Sequence, residues 1–172
     1  MVYVFKSGKL KGMSLEQLAV TDYPKFRWLR KNATRLPQEW LDRMDGIIYA
    51  LDNFESKKKC VKCREKPAAY LSIIEQYYPT KDVAASLGYI YCSPICFEND
   101  SGADHQEAIL YEAKYSKIFS HFKRPFWPKV IVDDLHKLMY KLLAGDMRKT
   151  KEDLHELINS ILLNRDRIIE TP

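Results

Sequence analysis

All four cysteines of this 172-residue chain fall between positions 60 and 96, as Cys60-Val61-Lys62-Cys63 and, after 28 intervening residues, Cys92-Ser93-Pro94-Ile95-Cys96. Each close pair supplies two thiols from one tight turn, and the gap lets the two turns converge, which is what a tetrahedral zinc requires. Two disulfides are a competing reading, but no apolar signal segment opens the sequence and nothing else in it suggests an oxidising compartment. Buried or redox thiols are the third. The expected cofactor is a structural Zn²⁺, because a closed set of four thiolates leaves no coordination position for water or substrate.

The flanks of the two pairs suggest how they are joined. Ala68 to Ile74 reads as one strand, and Gly88-Tyr89-Ile90-Tyr91 as another, rich in aromatic and β-branched residues. Ser93 and Pro94 are good residues for a helix start, which puts Cys96 in a first helical turn. The order of knuckle, hairpin, knuckle and helix over residues 60–100 resembles a treble-clef zinc finger. That fold serves DNA, RNA and protein binding and nuclease chemistry alike, so the resemblance alone selects no function.

At the N-terminus, Val2 to Phe5 reads as a short strand, with a turn at Ser7-Gly8 and a return through Lys9-Leu10-Lys11 to Gly12. Ser14 and Gln17 have capping-box spacing, so a short helix should run to Val20. Thr21 or Asp22 caps a second helix, with Pro24 in its first turn and Phe26, Trp28 and Leu29 as apolar residues. Trp28 is expected to anchor a core rather than to stack on a base.

The string Gly8-Lys9-Leu10-Lys11-Gly12-Met13-Ser14-Leu15, followed by Asp22-Tyr23-Pro24-Lys25-Phe26-Arg27-Trp28-Leu29, resembles the small module at the C-terminal end of exodeoxyribonuclease X-like proteins. Ser7 stands where that pattern has Phe, Leu10 where it has an aromatic residue, and Tyr23 separates Asp22 from Pro24. The resemblance covers residues 2–31 and brings no nuclease with it. It implies contact with nucleic acid, since the module accompanies DNA-processing enzymes.

From Pro37 an amphipathic helix carries Trp40, Leu41, Met44, Ile47, Ile48 and Leu51 on one face and Glu39, Asp42, Asp45 and Asp52 on the other. Tyr77-Tyr78-Pro79-Thr80 reads as a turn between the finger strands, with its aromatics packed beneath them. The last third reads as helical. Asp104 to Phe122 forms one helix, the link Arg124 to Pro128 leads to a second ending near Gly145, and Thr150 with Asp153 opens a third.

Charge is distributed unevenly. Net charge is +5, yet residues 1–35 hold eight Lys and Arg against two acids, and residues 57–66 hold six against one. The expected contact surface for a polyanion is Lys9, Lys11, Arg27, Arg30 and Lys31 together with Lys57, Lys58, Lys59, Lys62 and Arg64. Gly8 and Gly12 would let the backbone approach phosphate beside Lys9 and Lys11.

No catalytic constellation emerges. Asp104-His105 imitates part of a His-dependent nuclease motif but lies outside the span between the cysteine pairs. No phosphate-binding Gly-x4-Gly-Lys-Ser/Thr loop occurs, and His121, His136 and His155 fall within helical patterns. At 46% hydrophobic and 30% charged residues, with no apolar run of membrane-spanning length, the expectation is a soluble cytoplasmic protein with neither a membrane nor a small-molecule partner.

The expected fold is α+β and mainly α. A β-turn-β-helix module with an amphipathic helix would occupy residues 1–55, the zinc-bound hairpin 56–103, and a helical hairpin or bundle 104–172. The expected function is that of a non-catalytic nucleic-acid-binding accessory protein, with DNA preferred to RNA. The alternative is an interaction subunit that docks its C-terminal helices into a larger protein complex. The two differ in their response to salt.

Overall fold

Caps and apolar periodicity place most of the helices. The computed structural model describes residues 2–34, 36–77, 83–103, 107–122 and 127–169. In chain order the elements are α1 (Leu15–Thr21), α2 (Tyr23–Asn32), α3 (Gln38–Asp52), β1 (Tyr70–Tyr77), β2 (Val83–Tyr91), α4 (Pro94–Glu98), β3 (Ala108–Glu112), α5 (Tyr115–His121), α6 (Lys129–Ala144) and α7 (Lys151–Ile169). The fold is α+β and mainly α. The chain divides into two compact units, Met1–Phe54 with Asp146–Pro172, and Glu55–Gly145. The C-terminal helices are thus shared out, with α5 and α6 in the second unit and α7 in the first.

In the first unit, α1 starts at a complete capping box. The Gln17 N–H donates to Ser14 Oγ at 3.1 Å and the Ser14 N–H donates to Gln17 Oε1 at 3.0 Å. Asp22 caps α2 by accepting the Lys25 N–H at 3.2 Å. Leu15, Leu18, Ala19, Val20, Tyr23, Phe26, Met44, Ile47, Ala50, Leu51, Leu154 and Ile158 form the buried core of α1, α2, α3 and α7.

Two N-terminal expectations are corrected. The extended segment Tyr3 to Phe5 does not pair with Lys9 to Lys11. Its hydrogen bonds run to the segment before α1, with the Phe5 N–H donating to Met13 O at 3.0 Å and the Leu15 N–H to Tyr3 O at 3.0 Å. Gly8 and Gly12 sit at φ +72° and +85°, and these left-handed positions wind Gly8–Leu10 into a single 3-10 turn. Trp28 is not a core anchor, for it is 61% exposed. On a helix, residues two apart point to nearly opposite sides, so the burial of Phe26 turns Trp28 outward. The aromatic that packs in this unit is Trp40, edge-on to Tyr3 at 5.6 Å and to Phe5 at 5.3 Å.

The second unit is built on an antiparallel sheet of order β2-β1-β3. Leu71, Ile73 and Tyr91 of the sheet are buried, as are Tyr115, Ile118, Phe119 and Phe122 of the α5 segment and Ile131, Val132, Leu135, Met139, Leu142 and Leu143 of α6. The single helix expected over Asp104 to Phe122 is replaced by β3 followed by α5. The run Ala108-Ile109-Leu110-Tyr111-Glu112 suits either state, and pairing with β1 decides it, from Tyr70 opposite Glu112 to Ile74 opposite Ala108. The expectations for Tyr78-Pro79-Thr80, Asp104-His105 and Arg124-Pro125-Phe126 lie outside the described residues. Among those residues no helix is long and apolar enough to cross a membrane.

The hairpin that carries the second cysteine pair contains a β-bulge. Leu71 pairs with Ile90 and Ile73 with Leu87, so Ser72 alone faces Gly88 and Tyr89. Ser72 Oγ accepts the Tyr89 N–H at 2.8 Å and donates to Tyr89 O at 3.1 Å, closing the irregularity. A Cβ on Gly88 would collide with Ser72 Oγ and lie 3.0 Å from Ser72 O. Gly88→Ala should therefore force Ser72 from its place and destabilise the second unit by about 1–3 kcal/mol. Denaturant unfolding of the two proteins, each loaded with zinc, measures the difference.

Candidate metal centre

Backbone hydrogen bonding shapes the first cysteine turn. The Arg64 N–H donates to Cys60 O at 3.0 Å and the Cys60 N–H to Lys66 O at 2.9 Å, which curls residues 60–66 around the two thiols. Arg64 pays for the curl with a left-handed backbone, φ 58°, unusual for a residue with a Cβ. The Val61 N–H reaches Ile90 O at 3.0 Å and the Ala69 N–H reaches Tyr91 O at 2.7 Å, so the turn is laced to the end of β2. Cys92 follows directly on β2. Ser93 then caps α4 by accepting the Cys96 N–H at 3.2 Å, which brings the fourth thiol back beside the third.

The four thiol sulfurs all lie within 4.8 Å of one another, with Cys63 to Cys92 at 3.7 Å and Cys92 to Cys96 at 3.5 Å. Sulfurs at the corners of a tetrahedron about 2.3 Å from a central zinc are about 3.8 Å apart. The cluster therefore has the donor set and the size for a structural zinc. Cys60 is buried and the other three are partly so, and none is engaged in a disulfide. It is the group among the described residues whose side chains could hold a metal ion.

The electrostatics of the site favour thiolates unevenly. The backbone N–H groups of Lys66 and Glu65 lower the Cys63 thiol to about 6, against the effect of burial. Burial pushes Cys60 up, but the N–H groups of Cys63, Cys92 and Lys62 outweigh it and its net shift is downward. Cys92 is pushed up to about 12, by burial first and then by the neighbouring thiols Cys96, Cys63 and Cys60. A divalent cation at the centre of adjacent thiols favours the thiolate form, which is the form that binds it.

The ten candidate cations divide evenly between the units. Lys57, Lys58, Lys59, Lys62 and Arg64 are in the second unit, on the segment that includes the first thiol turn. Among the described residues no ion pair engages Lys57, Lys59, Lys62 or Arg64, all of them exposed. Lys9, Lys11, Arg27, Arg30 and Lys31 are in the first unit. Lys9 and Lys11 are exposed around the 3-10 turn, and Arg27 and Lys31 on α2. Arg30 is engaged, its Nε and Nη2 donating to the two carboxylate oxygens of Asp45 at 2.8 and 2.6 Å. That hydrogen bond holds the Asp45 carboxyl below its usual range.

One cluster in the first unit escaped sequence reasoning. Glu16, fully buried on α1, accepts from Arg43 Nε at 3.0 Å and Nη2 at 2.8 Å, both on Oε1. Arg43 Nη1 donates to Asn159 Oδ1 at 2.7 Å. His155 Nδ1 lies 3.1 Å from Glu16 Oε1 and 3.0 Å from Arg43 Nη2, so it donates to the first when protonated there or accepts from the second when not. Glu16 Oε2 is buried without a hydrogen-bond partner. A cleft of about 420 Å³ opens beside the cluster, lined by Tyr3, Glu39, Asp42, Arg43, His155 and Asn159. Its polar groups are largely spent on one another, tying α1, α3 and α7 together. The readable signal was the position of Glu16 itself, in a seven-residue helix between Leu15 and Leu18.

No family model, curated protein or solved structure matches this chain, so the likeness of residues 2–31 to the exodeoxyribonuclease X-like module gains no support from such comparisons.

Two measurements test these sites. Purified protein should carry a single zinc per chain, and Cys92→Ser or a strong chelator should unfold the second unit, because the ion's binding energy is folding energy, about 10–16 kcal/mol in small zinc fingers. Metal analysis with circular dichroism reads both. In the first unit, burial raises the Glu16 carboxyl, but the Arg43 hydrogen bond, its own backbone N–H and His155 bring it below the ordinary glutamate value. A lowered native pKa contributes stability above the unfolded value and loses it as pH falls, so unfolding should set in below about pH 4. Arg43→Met should cost about 3–5 kcal/mol at neutral pH by stranding the buried carboxylate. Acid and urea titrations followed by tryptophan emission give both quantities.

Proposed function

We propose that this chain is a non-catalytic, zinc-stabilised nucleic-acid-binding accessory protein acting in the cytosol, its four-cysteine segment a treble-clef-like finger. The observation that carries the reading is the set of exposed cations, Lys57, Lys59, Lys62 and Arg64, that have no ion pair among the described residues and lie on the segment that supplies the first two thiols. Cations that no carboxylate holds are free to displace counterions from phosphate. Four thiolates on one zinc carry a net charge of about −2, which these same side chains offset, so metal and polyanion draw on one cationic segment.

The order of elements supports the finger: a thiol turn at 60–63, the β1-β2 hairpin, Cys92 at its end, and Cys96 inside α4. A closed four-thiolate set has no open position for substrate, which supports a binding rather than a catalytic role. DNA is the first ligand to try, with RNA the second. Contacts of this kind hold the phosphate backbone and carry no sequence information by themselves.

The test is affinity for single- and double-stranded DNA and for RNA at two salt concentrations. Binding should weaken steeply with salt, and Lys59→Ala with Lys62→Ala should each lower the slope of log K against log salt by about one. Arg64→Gly separates scaffold from contact. It suits the left-handed backbone at that position, so zinc content and folding should hold while affinity for polyanion falls. An absence of binding to all three nucleic acids at low salt rejects the proposal.

A further inference from the structure

Trp28 is 61% exposed, whereas Trp127 is 7% exposed against Phe122 and Trp40 is held between Tyr3 and Phe5. A large aromatic left in water at the centre of a ten-residue helix, with Phe26 fully buried on the far side, is a surface feature that packing does not explain.

Its surroundings are cationic in a particular way. Lys25 lies three residues before Trp28 and Lys31 three after, so both share its face and stand about 4.5 Å from it along the axis, one on each side. Among the described residues neither lysine has an ion pair. The other side of α2 is different. Arg30 is bound to Asp45, and the field of Arg27 also falls on that carboxylate. The acids of α3 thus neutralise one side of α2 and leave the Trp28 side positive.

We infer that Trp28 is a base-stacking platform and that the ligand of this helix face is a single-stranded nucleic acid. An indole with a free π-face accepts any base, and a cation on either side of it meets the phosphates that flank the stacked nucleotide. A duplex cannot use the platform, because its bases are already stacked on each other. An acidic protein would satisfy the lysines but would leave the indole without a flat partner. The Asn32 side chain, which donates to Trp28 O at 2.8 Å, fixes the end of the helix beside the platform. The inference rests on the polyanion-binding reading above and names the form of nucleic acid that this face takes.

The experiment compares the zinc-loaded full chain with Trp28→Ala and Trp28→Phe, using an oligothymidylate, a duplex of equal length, and polyglutamate as competitor. Since the other two tryptophans are packed, quenching of emission by oligothymidylate and protection from iodide report on Trp28. The expected result is quenching in the parent, a loss of roughly 5- to 150-fold in oligothymidylate affinity for Trp28→Ala, a much smaller loss for Trp28→Phe, and duplex affinity within about twofold throughout. Unchanged zinc content and unfolding midpoint confirm that the variants are folded. If Trp28→Ala binds oligothymidylate as tightly as the parent, or loses duplex and single strand alike, the platform is rejected while the polyanion reading stands. Competition by polyglutamate as effective as by oligothymidylate also overturns it. If the parent binds no nucleic acid at low salt, both readings fall together.

Discussion

The convergence of four sulfurs on one small volume is the constraint that governs the second unit. Two turns separated by 28 residues must meet, and everything between them is the machinery of that meeting. The hairpin returns the chain, the Val61 to Ile90 and Ala69 to Tyr91 hydrogen bonds lace the first turn to the end of β2, and the Ser93 cap folds Cys96 back on Cys92. A three-stranded sheet needs a packed face to be stable, and Leu71, Ile73 and Tyr91 supply one here. A tetrahedral zinc held by these thiols would supply about as much free energy as the net stability of a typical domain, which would make ion and sheet one cooperative object.

Charge follows a different logic in each unit. In the first, the basic helix α2 lies against an acidic α3, and the Arg30–Asp45 pair shows cation and carboxylate satisfying one another. Among the described residues Lys25 and Lys31, on the Trp28 side of α2, have no ion pair. In the second, no ion pair engages Lys57, Lys59, Lys62 or Arg64 among the described residues, and the four-thiol cluster lies on the same segment. Of the five candidate cations in the first unit, Arg30 is thus already held by a carboxylate. A count of lysines along the sequence could not reveal this, since Arg30 and Asp45 are separated by 15 positions and meet only when α2 and α3 pack.

What was legible in the sequence was local. The thiol spacing, the Ser14–Gln17 box, the Asp22 and Ser93 caps and the apolar stripe of α3 each depend on residues a few positions apart, and each is present as read. What was not legible depended on distant partners. β3 reads as helix because Ala, Leu and Glu favour helix and only the neighbouring β1 makes it a strand. Glu16 meets Arg43 and His155 across 27 and 139 positions, and no spacing rule links them. Trp28 is an exception, since helical geometry applied to Phe26 and Trp28 already places them on opposite sides.

The placement of α6 gives the cationic segment its rigidity. The Lys57 N–H donates to Leu142 O at 2.7 Å, and Gly145 ends α6 so close to Lys57 that a Cβ there would lie 3.6 Å from the lysine Cβ. Gly145 has φ 63° and ψ −123°, backbone that an L-residue rarely adopts, so the positive φ rather than the approach of Lys57 calls for glycine at this helix end. Ser56, nearly buried, accepts the Lys58 N–H and donates to Lys58 O. The backbone of residues 56–60 is thus pinned to a helix at one end and to the thiol cluster at the other. A ligand that engages Lys57, Lys59 and Lys62 has no chain to order, only three side chains, and the entropic cost of contact is correspondingly small. Helix α6 supports the segment that carries the first thiol pair, because its last turn fixes where the cations begin.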